Sequence, residues 1–235
     1  MPRKTKPHPG EPANNDSNIR EIIFGAEDGF VSTLGLVLGM ASATNDSRTV
    51  IIAGAIYVVA EAFSMAAGTY LSSKAEKEFY TSQLHTERRE IKELPDVERA
   101  EVRDMYKSKG FRGRLLNGIV SRLTSNKELW LRVMMEEELH ILPAKINPIK
   151  NSTAMFISSL VTGAVPVIPF LLLPPATGFI GSIILTLIAL FFTGAFKGLY
   201  VKSNWVHSGL EMLVVGAIAA GIGYSVGLIT GSLIH

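Results

Sequence analysis

Five stretches, roughly 22–43, 50–72, 152–174, 179–200 and 209–233, are each long and mostly apolar. A hydrocarbon core about 30 Å thick is crossed by about 20 helical residues, and a backbone in lipid has to satisfy its own hydrogen bonds. The expectation is therefore an all-α membrane protein with five transmembrane helices. The hydrophobic residues make up 47% of the 235-residue chain, but their clustering into these runs, more than their sum, sets this chain apart from a soluble domain. The first run is interrupted by two adjacent acids, Glu27 and Asp28.

Between the second and third runs lies a polar insert, and the placement of Lys and Arg around it gives an orientation, because cytoplasmic segments are enriched in them. Arg3, Lys4, Lys6 and Arg20 precede the first run, only Arg48 lies in the 44–49 loop, sixteen lie between 73 and 151, and the 175–178 turn has none. Lys197 and Lys202 fit the same alternation. The reading is N-terminus and insert cytoplasmic, C-terminus outside. The domains follow as a disordered cytoplasmic tail over 1–20, transmembrane helices 1 and 2 over 21–73, a cytoplasmic helical metal-binding domain over 74–150, and transmembrane helices 3 to 5 over 151–235. The polar opening, MPRKTKPHPGEPANNDSN, has no apolar core of the signal-peptide kind.

Three helices are expected in the insert. One covers 74–94, a second covers 96–108 with Pro95 at its start and Asp96 suited to its positive end, and a third begins at Ser125, where Ser125-x-x-Glu128 has capping-box spacing, and runs until Pro143. Gly110 and Gly113 are read as loosening the chain between them.

The insert also carries acids at helical spacing. Glu87 and Glu90, Glu98 and Glu101, and Met135 and Glu138 are each three apart, with Met134 four before Glu138; such pairs share a helix face. Three helices can converge on one metal cluster, and mixed carboxylate and thioether donors lean toward a transition metal rather than Mg²⁺ or Ca²⁺. A solvated salt-bridge face built from Glu87, Arg88, Arg89 and Glu90 is the plain alternative, as is a core role for the methionines. There are no cysteines, so oxygen, imidazole and thioether are the only donors. Glu137-x-x-His140 matches one half of a di-iron carboxylate motif, and a second copy is missing.

Ionisable groups inside spans are costly and point to function. Asp28 lies in the first span, while Glu61 and Met65 lie one turn apart in the second. Carboxylates on a wet path can bind a divalent cation when ionised and exchange it for protons. Glu211, near the start of the last span, is read as interfacial. Gly25, Gly29, Gly35, Gly39, Ala66, Ala67 and Gly68 permit close helix packing, and with it a dimer seam. Pro166 and Pro169 should kink the third span.

The motifs "DGFVSTLGLVLGM" at 28–40, "SMAAGTYLS" at 64–72, the acidic insert ending in Met134, Met135 and Glu138, and "GAVPVIP" at 163–169 together resemble the vacuolar iron transporter (VIT) family over about 20–233. The resemblance implies a homodimer of five-span subunits that exports Fe²⁺, often Mn²⁺ as well, in exchange for protons, after a cytoplasmic three-helix domain gathers the metal. Its metal-collecting ligands fall on Glu87, Glu90, Glu98, Glu101, Met134, Met135 and Glu138, and its pathway residues on Asp28 and Met65. Two positions depart from the pattern: Thr69 replaces an acid, and Tyr57 stands where plant-type members carry a membrane Glu. Glu61, one turn after Tyr57, is expected to take over that role.

The function expected is a proton-coupled exporter rather than an enzyme, needing no cofactor beyond the Fe²⁺ or Mn²⁺ it moves. Its partners are metal ions, protons, lipid and a second copy of itself, not nucleic acid. The membrane would be the plasma membrane of a prokaryote or a vacuolar-type membrane of a eukaryote. The alternatives are a membrane-anchored di-iron oxidase, or a metal sensor or storage protein.

Overall fold

The computed structural model describes residues 18–44, 46–141 and 146–234; the expected N-terminal tail, apart from residues 18–20, and the stop at Pro143 lie outside them. Among the described residues, five helices are long and apolar enough to cross a membrane: Ile19–Thr44, Ser47–Glu93, Pro148–Leu172, Pro175–Tyr200 and Trp205–Leu233. In chain order the α-helices are α1 (Ile19–Thr44), α2 (Ser47–Glu93), α3 (Pro95–Ser108), α4 (Gly113–Thr124), α5 (Lys127–Val133), α6 (Pro148–Ala164), α7 (Ile168–Leu172), α8 (Pro175–Tyr200) and α9 (Trp205–Ile234). They fall into two compact units, Ser72–Ile146 and the remainder of the chain.

In the larger unit α1 is the hub, packed along α6 and α9 and touching α8. It supplies residues to three separate core clusters, with Val37 and Ala41 against Val50, Val58, Val167 and Phe170, Ala26 and Phe30 against Leu190 and Met212, and Leu34 and Leu38 against Ala220. What packs inside is small or hydroxylated, such as Ser159 and Gly163 on α6 and Ser182, Thr186 and Gly194 on α8. Large apolar side chains such as Ile184, Ile188 and Phe192 face outward. That inversion of a soluble core is what helix association in lipid requires.

Glycines of α1 permit close approach of neighbouring helices within the protomer. A Cβ on Gly29 would sit 2.7 Å from the Ser159 carbonyl of α6, and one on Gly39 would sit 3.0 Å from the Gly223 carbonyl of α9. Gly68, by contrast, has open space around its missing Cβ.

The prolines of the third span act as expected. The α-helix gives way to a 3₁₀ turn at Val165–Val167 before α7 resumes, and the Ser182 hydroxyl donates to the Pro166 carbonyl at 2.7 Å. A neighbouring hydroxyl is the usual way such a backbone is satisfied away from water.

The smaller unit departs from the expected three helices in three ways. Its first helix is no separate element but the continuation of α2, which runs unbroken for 47 residues. The stretch after Gly113 forms α4, because Leu116 and Val120, four apart, give it an apolar face that is buried. Gly110 and Gly113, at φ +97° and +58°, bracket the turn into it in a conformation glycine adopts without strain. The cap of the next helix is Asn126, whose side chain accepts from the amides of Glu128 and Leu129; the Ser125 hydroxyl instead donates to the Arg122 carbonyl. No capping box forms, since Ser125 still has helical geometry as the end of α4.

After α5 the chain widens into a π turn, Met134–Glu138, with the Leu139 amide reaching the Met134 carbonyl at 3.1 Å. His140 then takes a positive φ of 54° and ends the helix. The unit's core gathers Ile91, Val102, Leu116, Val120, Trp130, Leu131, Met134 and Met135.

Two candidate metal sites

The first site lies in the smaller unit. Glu87 on α2, Glu98 on α3 and Glu138 on the π turn each bring a carboxylate oxygen to within 4.8 Å of the others. Glu87 and Glu98 are buried, at 5% and 4% exposure, and Glu138 is exposed. One oxygen of Glu87 and one of Glu98 are sealed from solvent with no hydrogen-bond partner. Among the described residues, none of Glu87, Glu90, Glu98, Glu101 and Glu138 forms an ion pair, and Arg88 turns away to Glu128 at 3.5 Å. The solvated salt-bridge face is thus not what the fold builds from this segment.

Burial comes first, and the neighbouring carboxylates second, in pushing Glu87 and Glu98 up to about 7. Glu138 is raised by the same two causes, with Glu101 and Glu90 as its neighbours. A buried carboxylate ringed by others is stable only when protonated or when a cation joins it. Such a cage can accommodate protons, and its donor set could hold a divalent ion in their place.

Met134 and Met135 are buried at 0% and 2% exposure among the apolar side chains of the unit. They form the apolar floor of the π turn that carries Glu138. The Glu-x-x-His element does not assemble: Glu137 is held by the Lys109 ammonium, and His140 lies beyond the helix in its left-handed conformation.

The second site lies between α1 and α2 in the larger unit. Asp28 on α1 lies close enough to Glu61 on α2, and to Glu27, for their charges to act on one another. One Asp28 oxygen is closed to solvent and has no partner. Met65 lies one turn past Glu61, and Tyr57, Glu61, Met65 and Thr69 form a half-buried stripe four residues apart along α2. Tyr57 lies near Glu61, Ser32 and Asp28, and the Ser32 hydroxyl donates to the Asp28 carbonyl at 2.6 Å. Two carboxylates, a thioether one turn away and two hydroxyls make a donor set suited to a divalent transition metal. Glu211 is apart from this cluster as expected, exposed and paired with His207 at 3.2 Å.

Sequence reasoning missed Glu21. It is 3% exposed at the start of α1, with one oxygen 3.3 Å from Arg20 and the other without a partner. The signal was present in its spacing, since Glu21, Gly25 and Gly29 fall four apart on the face of α1 that turns inward. The part played by Ser32 was also not legible, because a lone serine in an apolar run has no pattern to mark it.

A profile of the VIT family matches residues 19–228. Vacuolar iron transporter 1 of Tulipa gesneriana is 33% identical over 209 residues, covering 88% of this chain and 85% of its own. The vacuolar iron transporter of Centaurea cyanus is 34% identical over 206 residues, covering 86% and 83%, and that of Plasmodium falciparum is 30% identical over 232 residues, covering 94% and 85%. With nearly the whole length matched, including both carboxylate sites and the proline-broken third span, this chain belongs to the VIT family.

Proposed function

We propose that the protein exports Fe²⁺, and Mn²⁺ as well, from the cytoplasm across a membrane in exchange for protons. The observation that carries this reading is the meeting of Asp28 and Glu61 from two membrane helices. Two neighbouring carboxylates inside an apolar bundle repel unless a proton or a cation lies with them, so the pair suits the exchange of one for the other. Met65, on the stripe of Glu61, adds a soft donor that favours Fe²⁺ and Mn²⁺ over Mg²⁺.

The acidic insert is the collecting device in this reading. Glu87, Glu98 and Glu138, with Glu90 and Glu101 beside them and Met134 and Met135 beneath, concentrate metal on the cytoplasmic side before it enters the membrane. The N-terminus and the insert face the cytoplasm, and the working form is a homodimer. The names of the relatives, iron transporters over more than four fifths of their own length, support iron as the cargo. A di-iron oxidase finds no support in the fold, since Glu137 and His140 are turned to other ends.

The test is uptake of Fe²⁺ and of Mn²⁺ into proteoliposomes with and without an imposed proton gradient, for the intact protein and Asp28→Asn. Gradient-driven flux that vanishes in the variant is the expected result. Flux indifferent to the gradient would remove the exchange mechanism, and binding without flux would turn the reading toward a sensor.

A further inference from the structure

The turn from α3 into α4 carries positive charge that neither metal site uses. From Met105 to Lys127 the chain has six basic residues and no acid, and four of the six, Lys107, Lys109, Arg112 and Arg114, fall at this turn. Lys109 is held by Glu137. Among the described residues no acid pairs with Lys107, Arg112 or Arg114. Arg112 donates to neutral backbone carbonyls, those of Lys107 and Phe111, and so keeps its charge uncompensated. All three are exposed, Leu115 beside them is 62% exposed, and a Cβ at Gly110 or Gly113 would meet nothing within 4 Å.

The smaller unit sets this turn at a definite level along α2. Helix α3 runs back along α2, since Glu98 meets Glu87, Val102 shares a core with Ile91, and Met105 packs on that core with Tyr80 and Leu84. The apolar run of α2 stops near residue 72. From the Glu87–Glu98 contact, α3 climbs about 15 Å to Ser108 while α2 climbs about 22 Å to Ser72. The basic turn therefore returns to within about 7 Å of the level where the apolar run stops, less than a Debye length of about 8 Å at physiological salt.

We infer that the α3–α4 turn is a docking surface for anionic lipid headgroups of the bilayer that α2 crosses, and that it holds this corner of the acidic insert against the membrane. Three uncompensated cations on an open turn suit a sheet of negative headgroups; a single free anion would need donors converging in a pocket. Leu115 supplies the apolar contact usual in a basic interfacial segment. The inference depends on α2 crossing a bilayer, not on what the protein carries.

The chain has no cysteine, so Leu115→Cys offers a single attachment point for a polarity-sensitive fluorophore. The labelled full chain is placed in nanodiscs of phosphatidylcholine alone, or of phosphatidylcholine and phosphatidylserine in equal parts. Emission should shift to the blue only in the anionic discs, and high salt should remove the shift by screening. Each basic residue near such a surface is worth about fivefold in docking, so Lys107→Gln/Arg114→Gln should weaken docking by on the order of 25-fold. Both side chains are exposed and unpaired with acids, so that variant keeps its fold. In unlabelled protein, amides of residues 110–116 should exchange hydrogen more slowly in the anionic discs. Equal emission and equal exchange in the two kinds of disc would overturn the docking surface, and so would a shift that the double variant leaves unchanged. Release of the whole protein from the discs by salt would instead sink the membrane-spanning reading, and the docking with it.

Discussion

Glu87 on α2 and Glu98 on α3 come from helices separated by a proline turn, yet their carboxylates lie within 4.8 Å of each other and of Glu138, with neither of the two residues more than 5% exposed. Like charges buried that closely store repulsion in the metal-free state. Replacing either by Gln should therefore have opposite effects on folding and on metal. Glu87→Gln and Glu98→Gln should each raise the melting temperature of the metal-free protein and weaken Mn²⁺ binding by on the order of tenfold, about 1.4 kcal/mol. Thermal unfolding and titration calorimetry on the same samples check both signs.

The same pair sets a pH dependence. Both groups rise from 4.5 to about 7 on folding, so the folded state holds their protons more tightly than the unfolded one. Their stabilising contribution is complete below about pH 4.5 and is lost as the pH rises through about 7. Metal-free protein should melt at a lower temperature at pH 8 than at pH 6, and saturating Mn²⁺ should narrow or reverse that difference, since it binds the ionised form of the folded state. Metal affinity in turn should fall as the pH drops below about 7.

Gly29 tests how closely α1 must approach α6. A methyl group there would meet the Ser159 carbonyl at 2.7 Å, and backbone cannot step aside as a side chain can. Gly29→Ala should destabilise the detergent-solubilised protein by about 1–3 kcal/mol. Gly68→Ala, with nothing within 4 Å of the added carbon, should be neutral or stabilising by up to about 1 kcal/mol, as expected for a glycine in a helix interior. Melting curves for the two variants side by side give the comparison.

The helix cap in the insert offers a test of adjacent residues. Asn126→Ala removes the acceptor for two amides and should cost about 1 kcal/mol, whereas Ser125→Ala, which loses one bond to the Arg122 carbonyl, should change stability by less than about 0.5 kcal/mol. Hydrogen exchange at the amides of Glu128 and Leu129 should accelerate only in the first.

The five long apolar helices were legible because length and composition are the whole of the requirement for crossing a bilayer, and the break at Pro166 was legible because proline lacks the amide the helix needs. Carboxylates at spacing three were legible as faces able to converge on one cluster, but not the packing that brings Glu87, Glu98 and Glu138 together, that of Ile91, Val102 and Trp130, which periodicity on any single helix does not reveal. Helix α4 went unread since two glycines near its start outweighed the Leu116 and Val120 pair. The cap was misplaced by one residue because Ser125 and Asn126 are both good caps, and only the end of the preceding helix decides between them. The π turn has no sequence signature at all; Met134 to Glu138 count as an ordinary helical turn until the backbone is traced.

The position of α1 at the hub of the larger unit has a consequence in time. Its main partners, α6 and α9, follow it by more than a hundred residues, so α1 is made well before it can be enclosed. Until α6 and α9 emerge, Gly29 and Gly39 have nothing to pack against and Glu21, Glu27 and Asp28 stand in or near lipid without the neighbours that shelter them. A chain halted after the insert would hold a charged, half-polar helix that the bilayer tolerates poorly, and this early, unpartnered helix is where surveillance of membrane-protein biogenesis would act first.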